Sequence, residues 1–360
     1  MKILNEFIKK NHDLVDQMKA CSYSYDKDNL NLHHLEGDVW THTMMAYTNT
    51  VKYKCSNIVK WAVILHDIGR IYTRSENKEH KRVSFGNFEG VSVFISIDVL
   101  NKTDLTDDEK IKIFKIISYQ YIIIDHIKYK RPSLKKLLEQ FKYEENILIE
   151  LTQYVRCDLQ GRKIDESRIH LYNKEYMQEF IDLFKSIKNK TKITKNKKNT
   201  VTILVGPPCS KKSTWVEKHN NGALAINRDS SVEEIGKQYN KNSYDEAYNY
   251  MRNNQDIKNK IDALDLKMKN KAINSKNIDI IIDNPNLGPI QRKVWIDVFK
   301  KTHIINVIVF LTSFNDLQEC SKIRKEKINK SISKKGLINK LKIFYFPLLS
   351  ENIDNIRYEK

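Results

Sequence analysis

Val201-Thr202-Ile203-Leu204-Val205 runs without a break into Gly206-Pro207-Pro208-Cys209-Ser210-Lys211-Lys212-Ser213-Thr214-Trp215. The apolar, β-branched run predicts a buried strand, Gly-Pro-Pro ends it, and Lys-Ser-Thr-Trp opens a helix. Strand, loop and helix in that order are what a Walker A phosphate loop needs, with Lys212 and Ser213 at the motif's distance from Gly206. Backbone N–H groups across Gly206, Ser210, Lys211, Lys212, Ser213 and Thr214 would turn inward on a β-phosphate. Lys212 would neutralise the β and γ oxygens, and the Ser213 hydroxyl would hold Mg²⁺. One residue departs from the motif: Lys211 stands where a glycine normally precedes the motif lysine. Its side chain must point away from the phosphates, and a positive φ there costs ~1 kcal/mol.

Downstream, short β-rich runs at Ala223 to Asn227, Ile278 to Asp283 and Ile304 to Leu311 alternate with helical stretches. That alternation predicts a parallel sheet in an α/β domain over 200–360, with ligands at the carboxyl ends of the strands. Upstream, residues 186–199 (SIKNKTKITKNKKN) hold six lysines and no acid, and predict an extended, solvated linker. Residues 1–185 carry helical periodicity and almost no strand signal. At Asn57 to Ile68, Ile58, Trp61, Ala62 and Leu65 fall at i, i+3, i+4 and i+7; Glu109 to Tyr121, Ser133 to Tyr143, Glu145 to Asp158 and Lys174 to Ile187 are similar. The expectation is an all-α domain, the linker, then the α/β domain.

The 360 residues favour two or three domains, and the five scattered cysteines without a CxxC pair argue against a zinc ribbon or a disulfide framework. No apolar run is long enough to span a bilayer and no signal-peptide stretch opens the chain, so a soluble, cytoplasmic protein with no membrane partner is expected. Sixty-three basic against 45 acidic residues give +18, a field that draws polyanions such as nucleic acid. Because 51 of the 63 are lysine, a solvated surface accounts for the charge about as well.

Beyond the loop, Asn227-Arg228-Asp229 follows the second strand and Asp283-Asn284-Pro285-Asn286-Leu287 follows another. With the loop ending in Ser-Thr-Trp, this order resembles the phage-type polynucleotide kinases. The resemblance implies that Asp229 takes the proton of a polynucleotide 5′-hydroxyl as it attacks the γ-phosphate of ATP, and that Asp283, Asn284 and Arg292 contact substrate. On its own, Asp229 reads equally as a helix N-cap, and Arg292 as part of a solvated helix face. The match thins elsewhere. Val232 stands where the family holds an arginine for the substrate's neighbouring phosphate, and after Cys320 the lid offers Ile323, Arg324 and Lys327, leaving Arg324 as the transition-state cation.

In the first domain, His42 sits in Glu36-Gly37-Asp38-Val39-Trp40-Thr41-His42-Thr43. His66-Asp67 closes an apolar helix, and Asp158 opens Asp158-Leu159-Gln160-Gly161-Arg162. This set resembles the HD phosphohydrolases, and the resemblance implies that His42, His66, Asp67 and Asp158 ligate one divalent transition metal such as Mn²⁺, with Asp67 also catalytic. Phe88 and Gln120 occupy places where relatives carry further histidines, which points to a single metal.

Taken together, the chain resembles the bifunctional HD-domain polynucleotide kinases that heal nucleic-acid ends. The resemblance implies removal of a 2′,3′-cyclic or terminal phosphate by the first domain. It implies ATP- and Mg²⁺-dependent phosphorylation of a 5′-hydroxyl by the second, on RNA or DNA ends that a ligase would then seal. Two alternatives stay open: a kinase whose degenerate first domain is a nucleic-acid platform, and a non-catalytic nucleic-acid-binding protein.

Overall fold

The computed structural model of the chain describes residues 2–171, 180, 184, 199–275 and 278–360. The linker read at 186–199 lies outside these apart from Asn199, and the helix expected from Lys174 to Ile187 lies outside them apart from Phe180 and Phe184. Contacts divide the chain into two units, Met1–Lys192 with Leu341–Ser350, and Ile193–Lys340 with Glu351–Lys360. Residues 341–350, grouped with the second domain on sequence, therefore belong to the first. Phe344 packs edge-on against Phe94 at 5.1 Å, and the Tyr119 hydroxyl donates to the Phe346 carbonyl (2.5 Å). An apolar run declares that it will be buried, but not in which core.

The first unit is helical: Lys2–Lys10 (α1), His12–Ala20 (α2), Val39–Lys52 (α3), Asn57–Leu65 (α4), Arg70–Thr73 (α5), Glu89–Leu100 (α6), Asp107–Ser118 (α7), Gln120–Tyr129 (α8), Leu134–Gln140 (α9) and Glu145–Gln160 (α10). It is not wholly so. Arg74–Asn77 (β1) and Arg82–Phe85 (β2) form an antiparallel hairpin. Its side chains are largely exposed, and the only apolar alternation, Val83 and Phe85 in β2, is too short to announce it.

Central α4 buries Val59, Trp61, Ala62, Val63, Ile64 and Leu65; of these, each Val, Ile or Leu side chain is worth about 1.5–3 kcal/mol. The helix stops at Leu65, short of the Ile68 expected from periodicity. The His66 carbonyl instead accepts from Ser92 Oγ (2.7 Å) and Gln120 Nε2 (3.1 Å), so neighbouring helices satisfy the turn that a longer helix would have bonded internally.

Two glycines set the spacing around this turn. A Cβ on Gly69 would lie 2.4 Å from the Phe88 carbonyl oxygen, and one on Gly161 would lie 2.6 Å from Ala46 N. Only a hydrogen at these positions lets the start of α6 close on α4, and the end of α10 close on α3.

The second unit holds a five-stranded parallel sheet built from Asn199–Val205 (β3), Leu224–Ile226 (β4), Ile280–Ile282 (β5), His303–Phe310 (β6) and Asn355–Glu359 (β7), in the order β4-β5-β3-β6-β7. Around it lie Lys212–His219 (α11), Arg228–Gln238 (α12), Tyr244–Arg252 (α13), Gln255–Asn274 (α14), Pro289–Phe299 (α15), Phe314–Ile328 (α16) and Lys334–Leu341 (α17). Leu204, Ile281, Ile308 and Phe310 bury one sheet face against Trp215 and Val216 of α11. β3 is central, so the loop after it opens at the middle of the sheet's carboxyl edge, flanked by the ends of β5 and β6. The edge strand β7, Asn-Ile-Arg-Tyr-Glu, alternates only two apolar residues and was not anticipated.

Candidate functional site

The phosphate loop follows β3 as the sequence requires. Gly206 N donates to the Pro285 carbonyl (3.0 Å), which ties the start of the loop to the segment after β5. Lys211 takes a left-handed φ of 66°, as does Cys209 at 70°. Each non-glycine residue there costs ~1 kcal/mol, so the loop stores strain. Lys211 is exposed. Lys212 is buried, its ammonium donating to the carbonyls of Gly206 (2.9 Å) and Pro207 (2.8 Å) inside the loop, with Ser210 Oγ at 3.4 Å. Burial pulls its pKa down to about 8, against the opposing charges of Asp283 and Asp229. Ser210 is buried, while Ser213 and Thr214 are exposed on the first turn of α11.

Around the loop, Asp283 at the end of β5 accepts from Ser213 Oγ (3.2 Å) and Asn227 Nδ2 (2.8 Å). Burial raises its pKa, opposed by the Lys212 charge. Asn227 caps α12 by accepting from Asp229 N, so Asp229 stands in the first turn and is not the cap. Its two oxygens accept from Tyr244 OH (3.0 Å) and Lys330 Nζ (2.8 Å). Asn284 Oδ1 accepts from Arg228 N (3.2 Å). From α16, Arg324 reaches back to the loop and donates to Cys209 Sγ (3.4 Å), whereas Ile323 and Lys327 are exposed.

Arg292 has neither of the two roles the sequence offered. It is fully buried, gripping Glu351 through two bonds of 2.8 Å and donating to the carbonyls of Asn286 and Leu287. Its planar fork braces the segment after Asp283 from behind, which leaves nothing for a substrate.

With this geometry in place, a comparison with known families bears on the second unit. Residues 201–336 match the family model of an AAA domain. The AAA domain here is a P-loop, kinase-like domain, for which ATP and Mg²⁺ are fitting ligands. The match covers the loop, Asp229, Asp283, Arg292 and Arg324, and stops short of β7. A search of curated proteins returned no match to the chain.

In the helical unit, four side chains drawn from across 116 positions converge. Asp38 caps α3 by accepting from Thr41 N (2.9 Å), which puts His42 on its buried first turn. His42 Nε2 lies 2.9 Å from Asp158 Oδ1, and its Nδ1 lies 2.9 Å from Glu36 Oε1. His66 Nε2 is 3.3 Å from Asp67 Oδ2 and 3.5 Å from Asp158 Oδ1. His66 Nδ1 is turned away, 2.7 Å from the Val63 carbonyl, so that bond leaves Nε2 as the free ligand atom.

The cluster passes a test of fit for a metal. Ligand atoms of His42, His66 and Asp67 lie within 4.8 Å of one another, and Asp67 Oδ1 and His66 Nε2 are buried with no hydrogen-bond partner. Two imidazoles and a carboxylate within this distance, with Asp158 Oδ1 against both imidazoles, suit a borderline divalent ion. Electrostatics are strongly coupled. Burial opposes charge on Asp67 and Asp158, yet Arg70 and Arg162 hold both well below the usual carboxylate range. Burial likewise opposes protonation of His66, but Asp67 and Asp158 push it up to about 9. An arriving ion would displace that proton.

Several members of this site, Glu36 and Arg162 of the quoted motifs among them, were given no role by the sequence reading. Arg70 Nε lies 2.7 Å from Asp67 Oδ2, and Arg162 bonds Asp158 Oδ2 at 2.5 Å. The shared spelling, an aspartate with Gly-Arg two or three residues on, was the available signal. Tyr23 OH donates to Asp67 Oδ2 (2.7 Å), and Glu36 links His34 to His42. Phe88 lies under the Arg70 guanidinium at 3.9 Å, and Gln120 holds the His66 carbonyl while accepting from Tyr154 OH. Neither is idle: both fix the groups that position the His-Asp turn.

Proposed function

We propose that the chain is a nucleic-acid end-healing enzyme with two activities. The C-terminal unit transfers the γ-phosphate of ATP to the 5′-hydroxyl of an RNA or DNA end. The gathering of Lys212, Ser213, Asp283, Asp229 and Arg324 around one phosphate loop carries this reading. Loop amides and Lys212 hold the triphosphate, and Ser213 with Asp283 suits the Mg²⁺ that arrives with it. Asp229 accepts the proton of the attacking hydroxyl, and Arg324 meets the charge that develops on the transferred group.

In the helical unit, His42, His66, Asp67 and Asp158 would hold one divalent transition metal. When bound, such an ion lowers the pKa of a water and neutralises a phosphoester oxygen. The substrate is a 2′,3′-cyclic or terminal phosphate on the other end of the break. Arg70, at Asp67 and wedged among Phe85, Phe88 and Tyr23, supplies a fixed cation beside the ligands. The net charge of +18 fits a polyanionic substrate, and a ligase is the partner that would use the healed ends.

The experiment is incubation of the purified protein with ATP, Mg²⁺ or Mn²⁺, and oligonucleotides bearing a 5′-hydroxyl and a 2′,3′-cyclic phosphate. Both ends should change. An unaltered 5′-hydroxyl would overturn the kinase assignment, and an unaltered cyclic phosphate the hydrolase assignment.

A further inference from the structure

The five cysteines are scattered along the sequence, yet four of them meet in pairs. Cys55 Sγ lies 3.7 Å from Cys157 Sγ in the helical unit, and both thiols are buried. In the second unit Cys209, the third residue after Gly206 in the phosphate loop, meets Cys320 of α16. Cys209 is buried and Cys320 half-buried, so of the two pairs only this one offers a sulfur to solvent.

That second pair sits where the loop and α16 touch. Arg324 Nη1 donates to Cys209 Sγ at 3.4 Å. Cys320 stands four residues before Arg324, one turn away on the same face of α16, and its thiol is in hydrogen-bonding contact with Cys209. Cys209 is itself fixed, at a left-handed φ of 70° behind Pro207 and Pro208. Neither thiol has a part in the transfer chemistry proposed above. In that chemistry Arg324 has to leave Cys209 to meet the transferred phosphate, so a bond between the two sulfurs would hold α16 where Arg324 cannot follow.

We infer that Cys209 and Cys320 are a redox modification site, forming a reversible disulfide that fastens α16 to the phosphate loop and shuts out ATP. The consequence for transfer rests on the kinase reading above; formation of the bond does not. The oxidant is hydrogen peroxide. Cys320, the accessible member, loses its proton, and its sulfur attacks one peroxide oxygen. The O–O bond breaks, leaving a sulfenic acid on Cys320 and, with the proton, one water. The Cys209 sulfur then attacks the Cys320 sulfur, the S–S bond forms, and the sulfenic hydroxyl leaves with the Cys209 proton as a second water. Two thiols are oxidised and one peroxide is reduced. Burial, with Cys209 beside it, pushes the Cys320 thiol up to about 11, while Arg324 and Lys211 pull it down. The reactive thiolate is therefore scarce at neutral pH, and the first step should quicken about tenfold for each pH unit below that value.

The test treats the full chain with hydrogen peroxide, stops the reaction with catalase and divides the sample. One part is alkylated and digested without reductant; the other is assayed for ATP affinity by calorimetry and for phosphate transfer. A peptide joining Cys209 to Cys320 should appear, ATP binding and transfer should fall in proportion to the joined fraction, and dithiothreitol should restore both. C320S and C320A remove a thiol outside the transfer machinery and should keep ATP binding through the same treatment. If no peptide joins Cys209 to Cys320, if joined protein binds ATP normally, or if both variants lose ATP binding as the wild type does, the inference fails and the kinase reading stands. If reduced wild type transfers no phosphate to a 5′-hydroxyl while the disulfide still blocks ATP, the kinase reading falls and the modification site remains.

Discussion

Ser213 Oγ donates to Asp283 Oδ2 across 3.2 Å, so the first turn of α11 and the end of β5 share a bond at the mouth of the phosphate loop. Such a pair of oxygens suits the magnesium of a bound nucleotide. Asp283→Ala should lower phosphate transfer about 100-fold, and excess Mg²⁺ should recover part of it. Activity titrated against Mg²⁺ for the variant and the wild type checks this; an unchanged Mg²⁺ dependence places the ion elsewhere.

Lys212 carries a pKa lowered to about 8 by burial in the ligand-free loop. A triphosphate beside it favours the ammonium, so above about pH 8 nucleotide binding should take up a proton, and affinity should fall as pH rises further. Calorimetry at pH 8.5 in buffers of different ionisation heat should show that uptake, and Lys212→Arg should abolish it. For folding the sign is opposite: the unfolded chain binds the proton more tightly, so this group's contribution to stability rises from about pH 8 toward the usual lysine range.

The His-Asp cluster should hold one transition-metal ion per chain. Elemental analysis after loading with Mn²⁺ and desalting should give a ratio near one for the wild type and Lys212→Ala. His66→Ala and Asp67→Ala should fall about 100-fold in affinity, since each removes a ligand. Equal metal content in all four proteins would separate the cluster from the ion.

Arg292 should matter for stability and not for substrate. Truncation to alanine removes the guanidinium from Glu351 and two carbonyls, at a cost of about 3–5 kcal/mol for a broken buried pair. A fall in unfolding midpoint with acceptor KM unchanged in the folded fraction is expected. A raised KM with intact stability would return Arg292 to the acceptor site.

How much of this was legible in the sequence depends on how local the signal is. The loop from Val201 to Trp215 announces strand, turn and helix within fifteen residues, and the parallel sheet follows from its neighbours. The convergence of His42, His66, Asp67 and Asp158 came from a resemblance, because periodicity cannot bring residue 42 to residue 158. What stayed hidden depends on tertiary context. Arg292 looks like any arginine on a helix until the face of α15 that turns inward is known. Lys330 follows a helix end with no motif around it, and Tyr23 reaches Asp67 across 44 positions. The hairpin at β1 and β2 and the edge strand β7 carry at most two alternating apolar residues per strand, too short a run for a pattern-based reading. Residues 341–350 carry an ordinary apolar signal with no indication that the helical unit is its destination.

The central claim is that the loop after β3 delivers a phosphate to a hydroxyl activated at Asp229. The most direct measurement is transfer of labelled γ-phosphate from ATP to a 5′-hydroxyl oligonucleotide by the wild type, Lys212→Ala and Asp229→Ala. Label on the oligonucleotide with the wild type, and a loss of at least about 100-fold in both variants, is the predicted result. Transfer that persists in Lys212→Ala, or no transfer by the wild type, would contradict it.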